Sequence, residues 1–273
     1  MRPRQWSKNL LLFAGLLFAA KLGDGIRWLE ATTAFAAYCA ASSAAYLVND
    51  VQDAEHDRAH PLKRSRPVAR RELSLRTAVL LAGALSVLAF ALVAPLGLAS
   101  VGFLAAFVAL QGAYSLALKH VVLLDVFAIA ALFVLRSAAG AEAVEVRISP
   151  WLLLVTALLA LFLGLAKRRS ELVLAGSSRP VLDGYSLAFV DQLIAVTVAC
   201  TIAAYAVYTF TAHSPALMVT IPFVVFGLFR YLLLVHRDDL GEEPENVLLT
   251  DTPIVVTVVL WAATAGVVLA LTN

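Results

Sequence analysis

The most regular feature of the sequence is the alternation of long apolar stretches with short polar ones. A helix needs about twenty residues to cross the hydrocarbon of a bilayer, and most of the apolar stretches approach that length. Prolines stand at several boundaries between them, where a helix can begin or end without losing an internal hydrogen bond. The pattern predicts an all-α integral membrane protein with a single polytopic domain over 1–273. The nine predicted spans are 9–22, 29–48, 77–95, 99–118, 121–141, 150–167, 186–210, 216–235 and 252–271.

The composition supports the same class of protein. Hydrophobic residues make up 61% of the chain and charged residues only 15%. Soluble domains of this size are much less apolar, so the composition argues against a soluble enzyme.

The basic residues are distributed unevenly between alternate loops. If the N-terminus lies in the cytoplasm, all but four of the 21 lysines and arginines fall on the cytoplasmic side. Cytoplasmic loops of membrane proteins are enriched in these residues. We therefore predict a cytoplasmic N-terminus, an external C-terminus and a plasma-membrane site that faces the cytoplasm. The four exceptions are Lys21, Arg27, Arg136 and Arg147.

The segment from Asn49 to Pro67, directly after the second span, holds the densest group of acidic residues. Asp50, Asp53 and Asp57 are spaced by three and then four residues, which places them on one face of a helix. Three neighbouring carboxylates repel one another, but they suit Mg²⁺, which prefers oxygen ligands and keeps positions open for phosphates. We predict that they are catalytic and bind Mg²⁺, with Asn49 beside them. A solvated charged loop is the alternative.

Cations follow the acids within the same segment. Lys63 and Arg66 lie in the pattern His-Pro-x-Lys-x-x-Arg-Pro. Arginine and lysine bind the diphosphate oxygens that a metal ion leaves free. We predict that both residues bind substrate, whereas Arg70 and Arg71 fit the general excess of positive charge in cytoplasmic loops.

Two further polar clusters follow the inner ends of later spans. If the helices form one bundle, these clusters and the acidic segment surround one cavity, which binds a phosphorylated headgroup and leaves its apolar tail in lipid. Anchoring of helix ends by tyrosine and lysine is the alternative. The candidate substrate-binding residues of the two clusters are Tyr114, Lys119, Asp125, Lys167, Arg168, Arg179 and Tyr185.

A basic and aromatic segment precedes the first span. Its residues either anchor the chain at the membrane surface or contact the phosphate of a lipid. The four candidates for a lipid-phosphate contact are Gln5, Trp6, Lys8 and Asn9.

Arg136 is a charged residue inside the fifth span. Such a residue is costly in a membrane unless it faces protein or water. It either pairs with an acid such as Glu142 or Asp191 to hold the bundle, or it faces a substrate.

The aspartate pattern resembles a known family. The sequence Asn49-Asp50-x-x-Asp53-x-x-x-Asp57, at the inner end of the second of nine helices, is similar to the first aspartate motif of the UbiA superfamily of intramembrane prenyltransferases. The resemblance implies a nine-helix UbiA-like bundle that uses magnesium. Aromatic prenyltransferases of that superfamily carry a second acidic motif after helix six, whereas 167–171 here read Lys-Arg-Arg-Ser-Glu. This difference argues against prenyl transfer to an aromatic ring.

The chain also resembles one branch of that superfamily, the polyprenyl-phosphate phosphoribosyltransferases. This resemblance implies transfer of 5-phosphoribose from 5-phosphoribosyl 1-diphosphate to a polyprenyl phosphate such as decaprenyl phosphate, with release of diphosphate. In actinobacteria such a product supplies arabinose to the cell wall. The matching positions are Arg2 to Asn9, Asn49 to Pro67, Tyr114, Ser115, Lys119, Asp125, Arg136, Gly140, Lys167, Arg168, Glu171, Arg179 and Tyr185.

The expected partners are therefore the two substrates and the bilayer, with no nucleic acid, while a homo-oligomer stays open. One alternative function is transfer of a prenyl group from a prenyl diphosphate to an aromatic or lipid acceptor. The other is transport of phosphorylated lipids or sugars, which normally requires inverted repeats that the sequence does not show.

Overall fold

The fold was analysed in a computed structural model of the chain. The structure describes residues 3–18, 23–59, 63–147, 149–174, 180–211, 215–237, 247 and 250–272. Over these residues the chain is helical and contains no strand. Short 3₁₀ helices occupy Pro3–Phe13, Lys63–Ser65, Ala94–Leu96, Leu118–His120, Pro180–Gly184 and Pro215–Thr220. The α-helices are α1 (Ala14–Phe18), α2 (Gly25–Gln52), α3 (Ala54–Ala59), α4 (Leu75–Val93), α5 (Leu98–Leu116), α6 (Leu124–Ala143), α7 (Pro150–Val173), α8 (Leu187–Thr211), α9 (Ile221–Arg237) and α10 (Thr252–Thr272).

The long helices confirm that this is a multi-pass membrane protein. Within the described ranges, eight helices are long and apolar enough to cross a membrane, and they correspond to the second to ninth predicted spans. The first predicted span, 9–22, is not confirmed. Its described part, 9–18, consists of the end of a 3₁₀ helix and the five-residue helix α1. The orientation of the termini and the single domain stay predictions.

The chain divides into two compact units. Unit 1 comprises Met1–Leu16, Asp24–Ser115 and Leu135–Val146, and unit 2 comprises the remainder.

In unit 1 the helix α2 is the central element. Asp24 caps its first turn, because the side-chain carboxylate accepts hydrogen bonds from the backbone N–H groups of Ile26 and Arg27 at 3.0 and 3.3 Å. Small side chains on its buried face allow neighbouring helices to approach closely, as is common in membranes. The buried alanines of α2 are Ala31, Ala34, Ala37, Ala40, Ala41 and Ala44.

In unit 2 the core lies between α7, α8 and α9. Phe162 and Tyr231 pack edge to face with ring centroids 5.3 Å apart, a favourable aromatic arrangement. The helix α10 is attached through Trp261, whose indole N–H donates to the Tyr205 hydroxyl at 2.7 Å. Asp251 caps the start of α10 and also binds Arg230.

Candidate functional site

The acidic segment continues the C-terminal end of α2 with only a local break. Helix α2 ends at Gln52, Asp53 caps it, and α3 begins at Ala54. The backbone N–H of Asp53 donates to the carbonyl of Asn49 at 2.9 Å, and that of Asp57 donates to Asp53 at 2.8 Å. The helical spacing expected for the three aspartates is therefore present.

Arg66 joins two of the three aspartates. Its Nη1 atom lies 3.2 Å from Oδ1 of Asp50 and 2.5 Å from Oδ2 of Asp57. Both carboxylates are buried, with 8% and 3% of the residue surface exposed. The sequence predicted Arg66 as a ligand of the substrate, and in this structure it instead neutralises the two acids. The pairing explains how two buried carboxylates can lie close together without strong repulsion.

The donor set is compatible with magnesium. Asp50 and Asp57 converge on one positively charged atom, so a single cation can be shared by both carboxylates. Magnesium is usually held by one or two carboxylates together with substrate phosphates and water. In the part of the chain that the structure describes, no group of three or more His, Cys, Asp or Glu side chains is placed to bind a metal ion. Asp50 and Asp57 thus fit a magnesium site at which phosphate oxygens supply further ligands.

The N-terminal 3₁₀ helix lies against the same helix α2. The indole N–H of Trp6 donates to the Ser43 hydroxyl at 3.2 Å, and the Tyr46 hydroxyl donates to Oε1 of Gln5 at 3.4 Å. The Lys8 ammonium donates to the same Gln5 oxygen at 2.6 Å.

Asn9 differs from these neighbours because it is completely buried. Its burial leaves Gln5, Trp6 and Lys8 as the residues of this segment that a lipid phosphate could reach.

Unit 2 contains a second polar cluster, formed by Asp125, Arg168, Glu171 and Tyr185. The Tyr185 hydroxyl donates to Oδ1 of Asp125 at 2.7 Å and accepts the backbone N–H of Leu123 at 2.7 Å. Arg168 lies 3.5 Å from Asp125 and 2.6 Å from Glu171, and the side chains of Asp125 and Arg168 are each only 1% exposed. Burial, followed by the hydrogen bond to Asp125, raises the pKa of Tyr185, so its hydroxyl stays protonated.

These contacts change the interpretation of three predicted site residues. Asp125, Arg168 and Tyr185 were expected to bind substrate, but in the structure they bind one another and join the start of α6 to the end of α7. Sequence reasoning gave Glu171 no role of its own. The signal was its position one turn after Arg168, where an acid and a base form an ion pair on a helix.

The other predicted site residues that the structure describes are less buried than the paired acids of the two clusters. Asn49, Asp53, Tyr114, Lys119 and Lys167 are partly exposed. Only the backbone of Lys63 is described, and Arg179 lies outside the described residues. Asp191, named as a possible partner of Arg136, binds Arg169 at 2.8 Å.

The chain is similar to several known proteins. The chain is 32% identical to the decaprenyl-phosphate phosphoribosyltransferase of Mycolicibacterium smegmatis, over 97% of this chain and 90% of that protein. It is 33% identical to the protein of the same name from Mycobacterium tuberculosis H37Rv, over 99% and 93% of the two chains. Among solved structures, a UbiA homologue from Archaeoglobus fulgidus bound to GPP and Mg²⁺ has a TM-score of 0.76 and 20% identity, over 98% and 97% of the two chains.

The structural similarity establishes the fold, and the sequence comparisons establish the family. The sequence model of the UbiA prenyltransferase family matches residues 10–249, which include the acidic segment and the basic end of α7. The chain belongs to the UbiA prenyltransferase family.

Proposed function

We propose that the protein transfers 5-phosphoribose from 5-phosphoribosyl 1-diphosphate to a polyprenyl phosphate such as decaprenyl phosphate, at the cytoplasmic face of the plasma membrane. The observation that carries the proposal is the near full-length similarity to proteins named decaprenyl-phosphate phosphoribosyltransferase. The acidic pair with its arginine, at the end of a membrane helix, supplies the chemistry that such a reaction requires.

In the proposed reaction an oxygen of the lipid phosphate forms a bond to C1 of the ribose, and the bond from C1 to the diphosphate breaks. The diphosphate leaves with the electron pair. The lipid phosphate is an anion near neutral pH, so no general base is needed. The reaction therefore depends on binding two anions close together and on stabilising the charge of the leaving group.

The residues of the acidic segment divide these tasks. Asp50 and Asp57, with Asp53 nearby, would hold magnesium, which when bound neutralises part of the diphosphate charge. Arg66 already lies between the two carboxylates, so a short movement of its guanidinium would exchange the acids for diphosphate oxygens. Lys63 lies in the same segment, and we assign it to the same anion.

The donor carries a second anionic group, its 5-phosphate, and the acceptor adds a third. A site for so much negative charge requires more cations than a site for a prenyl diphosphate. For the 5-phosphate, the residues that the sequence predicts are Lys119, Lys167 and Arg168.

Transfer of a prenyl group is the second candidate function, because the chain shares its fold with a homologue solved with GPP. The purified protein is incubated with Mg²⁺, decaprenyl phosphate and radiolabelled 5-phosphoribosyl 1-diphosphate, and the mixture is then extracted with organic solvent. We expect the label to enter the organic phase in a magnesium-dependent way. A parallel incubation replaces the donor with labelled geranyl diphosphate and the acceptor with an aromatic acid. Product in the second incubation alone would replace the proposal with prenyl transfer.

A further inference from the structure

Arg136 is a guanidinium enclosed within unit 1, on the apolar helix α6. Only 7% of the residue is exposed. Its Nε donates to Oδ1 of Asn9 at 2.8 Å, and the guanidinium lies 4.6 Å from the centroid of the Phe107 ring. A cation at such a position is costly unless protein groups replace its water. The hydrogen bond and the aromatic face both contribute to that replacement.

Asn9 connects three elements through one side chain. Its carbonyl oxygen accepts the hydrogen bond from Arg136 on α6, and its amide donates to Sγ of Cys39 on α2 at 3.2 Å. Asn9 is completely buried and itself belongs to the N-terminal 3₁₀ helix. The polar groups of this contact therefore fix the N-terminal helix at one position along both α2 and α6.

Two glycines allow the backbone to approach closely at the same place. A Cβ added to Gly140 would collide with the backbone carbonyl of Leu12, and one added to Gly15 would lie 2.7 Å from the Cα of Ala141. Side chains cannot yield here, because the colliding atoms are backbone atoms. The contact surface thus permits little sliding of the N-terminal helix.

The fixed position places Lys8 beside the face of α2 that leads to Asp50. Ser43, Tyr46 and Asp50 are spaced by three and four residues on α2, so they share one face of that helix. The N-terminal helix binds the first two of them, through Trp6 and Gln5. Tyr46 precedes Asp50 by one turn, about 6 Å along the axis. Lys8 binds the same Gln5 oxygen as Tyr46, so its ammonium lies close to the face that carries Asp50.

We propose that Asn9 and Arg136 form a positioning pair, which holds Lys8 where it binds the phosphate of the polyprenyl phosphate. This inference rests on the proposed function and adds the residues that orient the acceptor. Neither Asn9 nor Arg136 touches the substrate. The acceptor is favoured over the donor because Lys8 lies beside an interfacial tryptophan at the start of a segment that runs into apolar sequence, where a lipid headgroup resides.

The test compares Asn9→Ala, Asn9→Asp and Lys8→Gln by steady-state kinetics with both substrates varied. We expect Asn9→Ala to raise the KM for decaprenyl phosphate about tenfold, because a hydrogen bond to a charged group is lost. The KM for the phosphoribosyl donor and kcat should stay within about twofold of wild type. Asn9→Asp should restore the KM, since its carboxylate still accepts from Arg136. The control is Glu145→Gln, which removes a contact to Arg27 in the same unit and should leave both KM values unchanged.

A double variant separates positioning from a general loss of structure. If Asn9 acts through Lys8, Lys8→Gln with Asn9→Ala should have the same KM for the lipid as Lys8→Gln alone. The inference would be overturned if the effects of the two substitutions on the KM for the lipid multiplied in the double variant. It would also be overturned if Asn9→Ala raised both KM values equally and lowered the unfolding temperature. If Asn9→Ala does not fold, Arg136→Lys tests the same contact, because lysine lacks the planar fork and its Nε donor.

Binding of the lipid alone distinguishes this inference from the proposed function. The dissociation constant of decaprenyl phosphate is measured by native mass spectrometry for wild type and for Asn9→Ala, without donor. About tenfold weaker binding by Asn9→Ala supports the positioning pair even if wild type transfers no phosphoribose. Equal binding by the two proteins overturns the pair even if wild type is fully active.

Discussion

At the scale of single residues, the acidic segment depends on one arginine that two buried acids share. Asp50 and Asp57 both contact Nη1 of Arg66, and a substrate diphosphate with magnesium would compete for all three side chains. The sequence showed that acids and bases were present but not which would pair. Asp57 lies on α3 and Arg66 follows the next short helix, and helical periodicity does not predict contacts between different helices.

Arg66→Gln should lower kcat/KM for the phosphoribosyl donor by about a hundredfold, because a cation that stabilises the leaving diphosphate is lost. Arg70→Gln is the matched control, since Arg70 follows the acidic segment closely and pairs with Glu72 at 3.0 Å on the exposed surface. Its donor kinetics should stay within about twofold of wild type. Steady-state assays of both variants check this, and equal losses would remove Arg66 from the site.

Tyr185→Phe should affect stability more than catalysis. The change removes a buried hydroxyl that binds Asp125 and the backbone of Leu123, at a cost of about 1–3 kcal/mol. The unfolding temperature in detergent should therefore fall, while the KM for the donor changes less than about twofold. A tenfold rise of that KM with an unchanged unfolding temperature would show that Tyr185 binds substrate after all.

At the scale of elements, the spans were predictable and their ends were not. Runs of apolar residues identify α2 and α4 to α10 because helix length must match bilayer thickness. The described part of the stretch 9–22 begins in a 3₁₀ helix that packs on α2, and hydropathy does not distinguish a 3₁₀ helix from an α-helix. Likewise, the sequence does not show whether Arg168 and Asp125, which lie at helix ends, are exposed to water or form an ion pair with each other.

Gly140→Ala tests the close contact of the N-terminal helix with α6. The new methyl group collides with the backbone of Leu12, so we expect a loss of about 1–3 kcal/mol in unfolding free energy. Gly102→Ala on α5 is the control, because nothing lies within 4 Å of an added Cβ there. That change should be neutral or stabilise by up to about 1 kcal/mol. Denaturant unfolding of both variants checks the prediction, and similar effects at the two sites would contradict it.

Asp251 makes the start of α10 sensitive to pH. The hydrogen bond from Arg230 lowers the pKa of Asp251 below its ordinary value of 3.8. A lowered folded-state pKa means that the stabilisation is present above 3.8 and is lost as the pH falls through the folded-state value. Asp251→Ala should cost about 0.5–2 kcal/mol at pH 7, as for other helix caps. In thermal unfolding, the difference in stability between wild type and Asp251→Ala should become smaller below pH 3.8. A difference that does not change with pH would argue against this linkage.

At the scale of the whole molecule, the family followed from the sequence because its motif combines spacing with position at a membrane helix end. The polar clusters fell at the expected helix ends, but the sequence could not tell which cations bind acids and which remain for phosphate. Arg66 and Arg168 bind buried acids in the structure. Charge balance, which depends on three-dimensional pairing, therefore decides which residues are left for a phosphate-rich substrate.

The central claim is that the acids after α2 support magnesium-dependent transfer of phosphoribose to a lipid phosphate. The most direct test is the initial rate at which label passes from 5-phosphoribosyl 1-diphosphate to decaprenyl phosphate, measured in Mg²⁺ for wild type, Asp50→Asn and the surface control Glu72→Gln. We predict a loss of at least about a thousandfold for Asp50→Asn, a rate within about twofold of wild type for Glu72→Gln, and a cooperative unfolding transition for both. A wild-type rate for folded Asp50→Asn would contradict the account.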